Sequence, residues 1–143
     1  MIGRSALRAL FEEYSHCEAC DLLCQSRVQP VFGSGSASAR IVYVGEAPGA
    51  EDDDVGLPFV GPSGRLLLQL FEKSWWACPE LDLIRQIEDN DTFFEHLREY
   101  LEGHIFFTNA VMCRPEDDRT PSAKEVKECR QRLHQTIYAI DPT

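Results

Sequence analysis

Two stretches of the chain are dominated by apolar residues and too short to be helices. Arg40-Ile41-Val42-Tyr43-Val44 and His104-Ile105-Phe106-Phe107-Thr108 are rich in β-branched and aromatic residues. They predict two buried strands, the second ending at Asn109. Elsewhere the spacing is helical. Leu7, Leu10, Phe11 and Tyr14 fall on one face and predict a helix over Ser5–Tyr14, with Ser5 as its N-cap. Arg65 to about Trp76 predicts a second helix. Leu83, Ile84 and Ile87, then Phe93, Phe94, Leu97 and Leu101, flank the polar turn Asp89-Asn90-Asp91. Two short acidic helices are expected there, inside a segment of about 75–103 that reads as a helical insert. Ser122 with Glu125 three residues on is a capping-box pattern and opens a last helix over about Ala123–Ile140. Val28–Val31 reads as extended, and the Gly/Ser run Gly33–Ser38 as a flexible turn. Strands alternating with helices predict an α/β fold, a doubly wound parallel sheet in one domain over residues 1–143. Two core strands make a small sheet, so the fold is expected to be incomplete at the C-terminus.

Between the first strand and the next helix lies Gly45 to Gly64, dense in Gly, Pro and acid. It leaves the C-terminal end of a strand, the edge where open α/β sheets bind ligands. Loops of that length in small domains are usually functional or disordered. Glu46, the acidic run Glu51-Asp52-Asp53-Asp54 and the aromatic Phe59 all hang from it.

Length changes little in this picture, and charge changes more. The 143 residues carry a formal net charge of −10, which argues against a whole-surface electrostatic grip on nucleic acid. No apolar run is long enough to span a bilayer. The N-terminus lacks a signal-peptide core, so a cytoplasmic, intracellular protein without membrane partners is expected.

The six cysteines then matter, because disulfides are rare in a reducing compartment. Cys17-x-x-Cys20 is a two-ligand hook. Cys113, beyond the second strand, and Cys129, in the last helix, supply a second pair. Four thiolates in two separated pairs suit a [4Fe–4S] cluster or a structural zinc. The wide second pair favours iron–sulfur over zinc. Cys78 reads as a buried apolar residue, and Cys24 is close enough to the hook to substitute as a ligand.

These residues together resemble the family-4, iron–sulfur uracil-DNA glycosylases. The resemblance runs through Cys17-x-x-Cys20, Val31-Phe32-Gly33-x-Gly35, Val44-Gly45-Glu46-Ala47-Pro48-Gly49 and Pro58-Phe59-Val60-Gly61 with Gly64. It continues through Thr108-Asn109-x-Val111-x-Cys113-Arg114-Pro115, Arg119-x-Pro121, Glu125 and Cys129. It is weak over about 75–103. It implies a doubly wound α/β fold of the uracil-DNA glycosylase type, a [4Fe–4S] cluster on Cys17, Cys20, Cys113 and Cys129, and a pocket for uracil flipped out of DNA. By that resemblance Glu46 is the acid beside the water and the sugar, Phe59 stacks on uracil, and Asn109 reads its edge.

The residue types agree with that chemistry. A flipped base is held by stacking and by edge hydrogen bonds. Asn109 offers one donor and one acceptor, matched to uracil O4 and N3–H and mismatched to cytosine. Glu46 is the first candidate carboxylate for orienting water, with Glu51, Asp52 and Asp53 behind it. Gly45 and Ala47, flanking Glu46, are expected to line the substrate pocket, and the Ser63 and Gly64 amides, opening a helix, are expected to hold a DNA phosphate. The resemblance also implies a C-terminal part with further strands and a His-containing motif, which nothing in these residues matches. The expected activity is hydrolysis of the N-glycosidic bond of uracil in DNA, for base excision repair. The alternatives are a truncated, inactive iron–sulfur or zinc module, and a zinc-stabilised domain that binds a protein partner through its acidic insert.

Overall fold

The computed structural model describes residues 2–75 and 78–143. Its centre is the run Ile105–Asn109, here β3, buried at every position. A strand without one polar-facing side needs cover on both faces, and it has it. On one face lie α1 (Ile2–Tyr14) and α7 (Ala123–Ile140), packed with Leu7, Phe32, Phe106, Met112 and Ile140. On the other lie α4 (Pro62–Ser74), α5 (Glu80–Arg85) and α6 (Asn90–Glu102), with Leu68, Leu81, Leu97, Leu101, Ile105 and Phe107. Phe106 points to the first core and its two neighbours to the second, the period of two that a strand imposes. The expected α/β architecture, with helices on both faces of the sheet, is what the chain adopts.

The sheet itself departs from expectation in two ways. β2 (Ile41–Gly45) runs parallel to β3, from Ile41 opposite Ile105 to Gly45 opposite Asn109. It lies at the edge of the sheet, with Ile41 and Val44 exposed, and so is not the buried strand that its composition suggested. The other edge is β1 (Ser34–Gly35), antiparallel to β3, within the run read as a flexible turn. A Cβ on Gly35 would collide with the Ile105 carbonyl oxygen, and the residue's φ is +131°. Only a residue without a side chain lets this segment lie so close to β3, and the sheet is therefore mixed rather than all parallel.

Local signals account for the starts of α4, α6 and α7. Ser122 Oγ accepts from the Glu125 amide (3.2 Å) and the Glu125 carboxylate accepts from the Ser122 amide (2.8 Å), the predicted capping box of α7. Asp89 caps α6 by accepting from the Thr92 amide at 2.8 Å. α4 starts earlier than Arg65, with Pro62 in its first turn, where a missing N–H costs nothing. Its predicted end near Trp76 lies outside the described residues. α1 begins at Ile2, so Ser5 sits inside it and is not a cap. Two helices went unforeseen: α2 (Asp21–Ser26), and α3 (Ala50–Val55) inside the long loop, carrying its acidic run.

The helices of the 79–103 segment are built into the second core through Leu81, Phe94, Leu97 and Leu101. Several acids in and around them are paired at home: Glu72 and Asp82 with Arg85, Asp91 with Arg65, and Glu102 with Arg98. Among the described residues no helix is long and apolar enough to cross a membrane.

Candidate functional site

The register of the parallel pair sets Gly45 opposite Asn109 at the C-terminal end of the sheet. The chains stay tied just beyond it, the Ala110 amide donating to the Gly45 carbonyl (2.8 Å) and the Val111 amide to that of Glu46 (3.0 Å). A Cβ placed on Gly45 would stand 2.6 Å from the tip of the Phe59 ring and closer still to Asn109 Oδ1. Gly45 is therefore the floor over which Asn109 and Phe59 converge. Asn109 is 2% exposed, and its Nδ2 has no hydrogen-bond partner among the described residues. Leaving a buried donor unpaired costs about 1–3 kcal/mol.

Phe59 is held from several sides. Its backbone is left-handed, with φ +57°, an arrangement a bulky residue rarely adopts. Arg98 of α6 donates to the carbonyls of Phe59 (3.0 Å) and Pro58 (2.8 Å). Gly64 lies beneath, where a Cβ would collide with the Phe59 carbonyl. Tyr43 and Phe107 meet the ring edge-on at 5.4 and 6.0 Å between centroids. The ring is half-buried in this setting.

The other candidates separate. Glu46 is exposed at the loop entry, and its carboxylate has no partner among the described residues. Asp52 is buried, its oxygens accepting from the amides of Val60 (2.9 Å) and Gly49 (3.3 Å). With both oxygens occupied by backbone it braces the loop, and we assign it no part in the chemistry. Ala47 packs against the core under α1 and α7. Ser63 is exposed in the first turn of α4, whereas Gly64 is buried and serves the close approach of Phe59.

Four loops and helices bring the cysteines to one small cavity. Cys17, Cys20 and Cys24 reach it from the α1–α2 connection and α2, Cys113 from beyond β3, and Cys129 from α7. Burial first, then the neighbouring thiols of Cys129, Cys113 and Cys17, push Cys20 up to about 11. Cys113 is also raised by burial, against the pull of Arg27. Arg27 donates to Cys113 Sγ (3.0 Å) and to the Cys17 carbonyl (2.6 Å); Arg132 donates to Cys129 Sγ (3.6 Å). Among the described residues no group of three His, Cys, Asp or Glu is set to hold one metal ion. Cys78 lies with the second core, its Sγ beside Glu80 Oε2 (2.9 Å) and Tyr100 Oη (3.0 Å).

Residues 32–143 match the family described as the uracil DNA glycosylase superfamily. The chain belongs to the uracil DNA glycosylase superfamily. Among curated relatives it is 35% identical, over 136 residues, to the type-4 uracil-DNA glycosylase of Pyrobaculum aerophilum, covering 95% of this chain and 57% of the relative. It is 36% identical to that of Thermotoga maritima over 131 residues, 92% of this chain and 55% of the relative. It is 31% identical to that of Archaeoglobus fulgidus over 137 residues, 96% of this chain and 56% of the relative. The chain spans about half the length of the curated relatives it matches.

Within this superfamily domain the structure also gives a bracing place to Asp53, ranked behind Glu46 as a candidate carboxylate, and to three arginines that the sequence does not single out. Asp53 is 1% exposed and accepts from the amides of Val28 (2.9 Å) and Gln29 (3.2 Å), anchoring α3 to the segment after α2. Arg98 lies in the acidic segment and reads there as one more surface charge. Arg27 and Arg132 stand near cysteines in sequence, which is the one available signal for them.

Proposed function

We propose that the protein is a DNA glycosylase that hydrolyses the N-glycosidic bond of uracil flipped out of DNA, the opening step of base excision repair. The observation that carries this reading is the unpartnered, buried amide of Asn109 beside the braced ring of Phe59, both above Gly45. Uracil presents an acceptor at O4 and a donor at N3, which Nδ2 and Oδ1 complement. Cytosine presents the reverse pattern, and its amino group would face Nδ2 donor to donor. Phe59 supplies a face for stacking. Glu46, open to solvent at the same sheet end, orients a water toward the sugar C1′. The C1′–N1 bond breaks with its electron pair leaving on uracil, the water oxygen bonds to C1′, and Glu46 takes the water's proton.

The same reading gives Cys17, Cys20, Cys113 and Cys129 to a [4Fe–4S] cluster, with structural zinc as the alternative. Two observations support a sulfur-bound group there. Four thiols, Cys17, Cys20, Cys113 and Cys129, line one small cavity. Two guanidiniums face sulfur, the arrangement that a negatively charged sulfur group favours. When bound, the group cross-links the α1–α2 connection, the β3 exit and α7. Uracil-containing DNA is the proposed partner, and the acids of the 79–103 segment that pair within the fold give no support to a protein partner there.

The test is excision from a labelled single-stranded oligonucleotide carrying one uracil. Strand scission at uracil after alkali, lost in Asn109→Ala, is the expected result. A folded protein that leaves uracil in place would overturn the reading in favour of a module that binds without turnover.

A further inference from the structure

Arg132 is the largest fully buried side chain among the described residues, at 0% exposure, and no carboxylate pairs with it. A guanidinium taken out of water is costly unless something balances it. Nη1 donates to Thr108 Oγ1 at 2.9 Å, and that hydroxyl in turn donates to the Phe32 carbonyl at 2.8 Å. Nη2 is shared by the carbonyls of Asn109 (2.5 Å) and Ala110 (3.2 Å) and by Cys129 Sγ (3.6 Å). Nε is buried with no partner. Among the described residues, Cys129 Sγ is the contact that ties this guanidinium to the cysteine cavity. The same Nη2 that meets the Cys129 sulfur thus grips the carbonyls on either side of Ala110, directly after the residue that bears the unpartnered amide.

We infer that Arg132 is a positioning residue that links the cysteine cavity to base recognition: anchored by the Cys129 sulfur, it fixes the Asn109 peptide so that the Asn109 amide keeps its aim. This rests on the glycosylase reading for the identity of the base, but not for the mechanical link. A purely structural Arg132 would affect all nucleotides alike. A positioning Arg132 affects the choice between them.

The experiment compares the full chain with Arg132→Lys, and with Thr108→Val, which removes the Nη1 acceptor without touching a cysteine. Affinity is measured for single-stranded oligonucleotides bearing 2′-fluoro-2′-deoxyuridine, which resists hydrolysis, or 2′-fluoro-2′-deoxycytidine. A well-placed bidentate contact discriminates by about 1–3 kcal/mol, so the uracil-over-cytosine ratio is expected to fall by roughly tenfold in both variants. Iron content and visible absorption of Thr108→Val should stay at the level of the unaltered chain. Hydrogen exchange at the Ala110 and Val111 amides, which bond to Gly45 and Glu46, should speed up. An unchanged ratio in a folded Thr108→Val protein overturns the inference, and so does unchanged exchange at those amides. If the unaltered chain shows no uracil preference, the glycosylase reading fails, and the exchange result alone decides the link. Should Arg132→Lys fail to fold, the Thr108→Val ratio and exchange rates decide the matter.

Discussion

Gly45→Ala isolates the pocket floor more cleanly than any other change. The residue is not in a left-handed conformation, so alanine meets no backbone penalty there and the whole effect is one of space. The new methyl would stand 2.6 Å from the Phe59 ring and closer still to Asn109 Oδ1. Carbon contacts settle near about 3.5 Å, so the amide and the ring must each retreat by roughly 1 Å. Neither retreats freely: Asn109 lies in the central strand, and Arg98 and Gly64 hold Phe59. Overpacking of this kind costs about 1–3 kcal/mol of stability, which lowers the melting temperature by several degrees. Misplacing reacting partners by about 1 Å costs on the order of 100-fold in rate. Uracil excision under single-turnover conditions, alongside thermal melting, measures both. A folded Gly45→Ala protein that releases uracil at the unaltered rate would refute the convergence of Asn109 and Phe59 as the recognition site.

Further tests address the other parts. Phe59→Leu keeps apolar bulk but removes the stacking face, worth about 1–3 kcal/mol per base, so kcat/KM should fall by roughly 10- to 100-fold while Phe59→Tyr stays close to the unaltered protein. Cys17→Ser should abolish visible absorption and lower the melting temperature, whereas Cys78→Ser, on the opposite face, should leave the absorption intact; equal bleaching by both would sink the ligand assignment. Glu125 is held down to about 2 from its ordinary 4.5, first by the Arg119 guanidinium and then by the Ser122 amide. Because its folded value is depressed, its stabilisation is complete above about pH 4.5 and lost as the pH falls toward 2. Urea midpoints of the unaltered chain and Glu125→Gln should therefore differ at pH 6, by on the order of 2 kcal/mol, and draw together as the pH falls to about 2. A gap that does not narrow over that range would assign the effect to something other than the charge.

Much of this architecture is legible in the chain itself. β3 declares itself by four apolar or β-branched residues in a row, and α7 by a capping box that needs no tertiary help. The cysteines and Asn109 stand out because their chemistry is rare at those spacings. What stays hidden depends on contacts distant in sequence. Gly35 reads as flexible until β3 is laid against it, and then its missing side chain becomes the condition for pairing. Asp52 and Asp53 look like two more members of an acidic run, yet burial and backbone amides 3 to 25 residues away turn them into braces. Arg132 carries no motif at all, since its meaning lies in Thr108, Asn109 and Cys129 at once.

The grip of Arg98 on Pro58 and Phe59 bears on how this domain tolerates changes of length. Leu97 and Leu101 fix one side of α6 in the core, and Arg98, next to Leu97 in sequence, reaches across to the loop. One residue inserted between Phe94 and Leu97 would turn everything after it by about 100° and release both carbonyls. The turn at 86–89 lies outside both constraints and is the place where extra residues would go unnoticed by the aromatic ring. Insertions and deletions in this part of the domain should therefore collect in that turn, while the spacing from Phe94 to Leu101 stays constant.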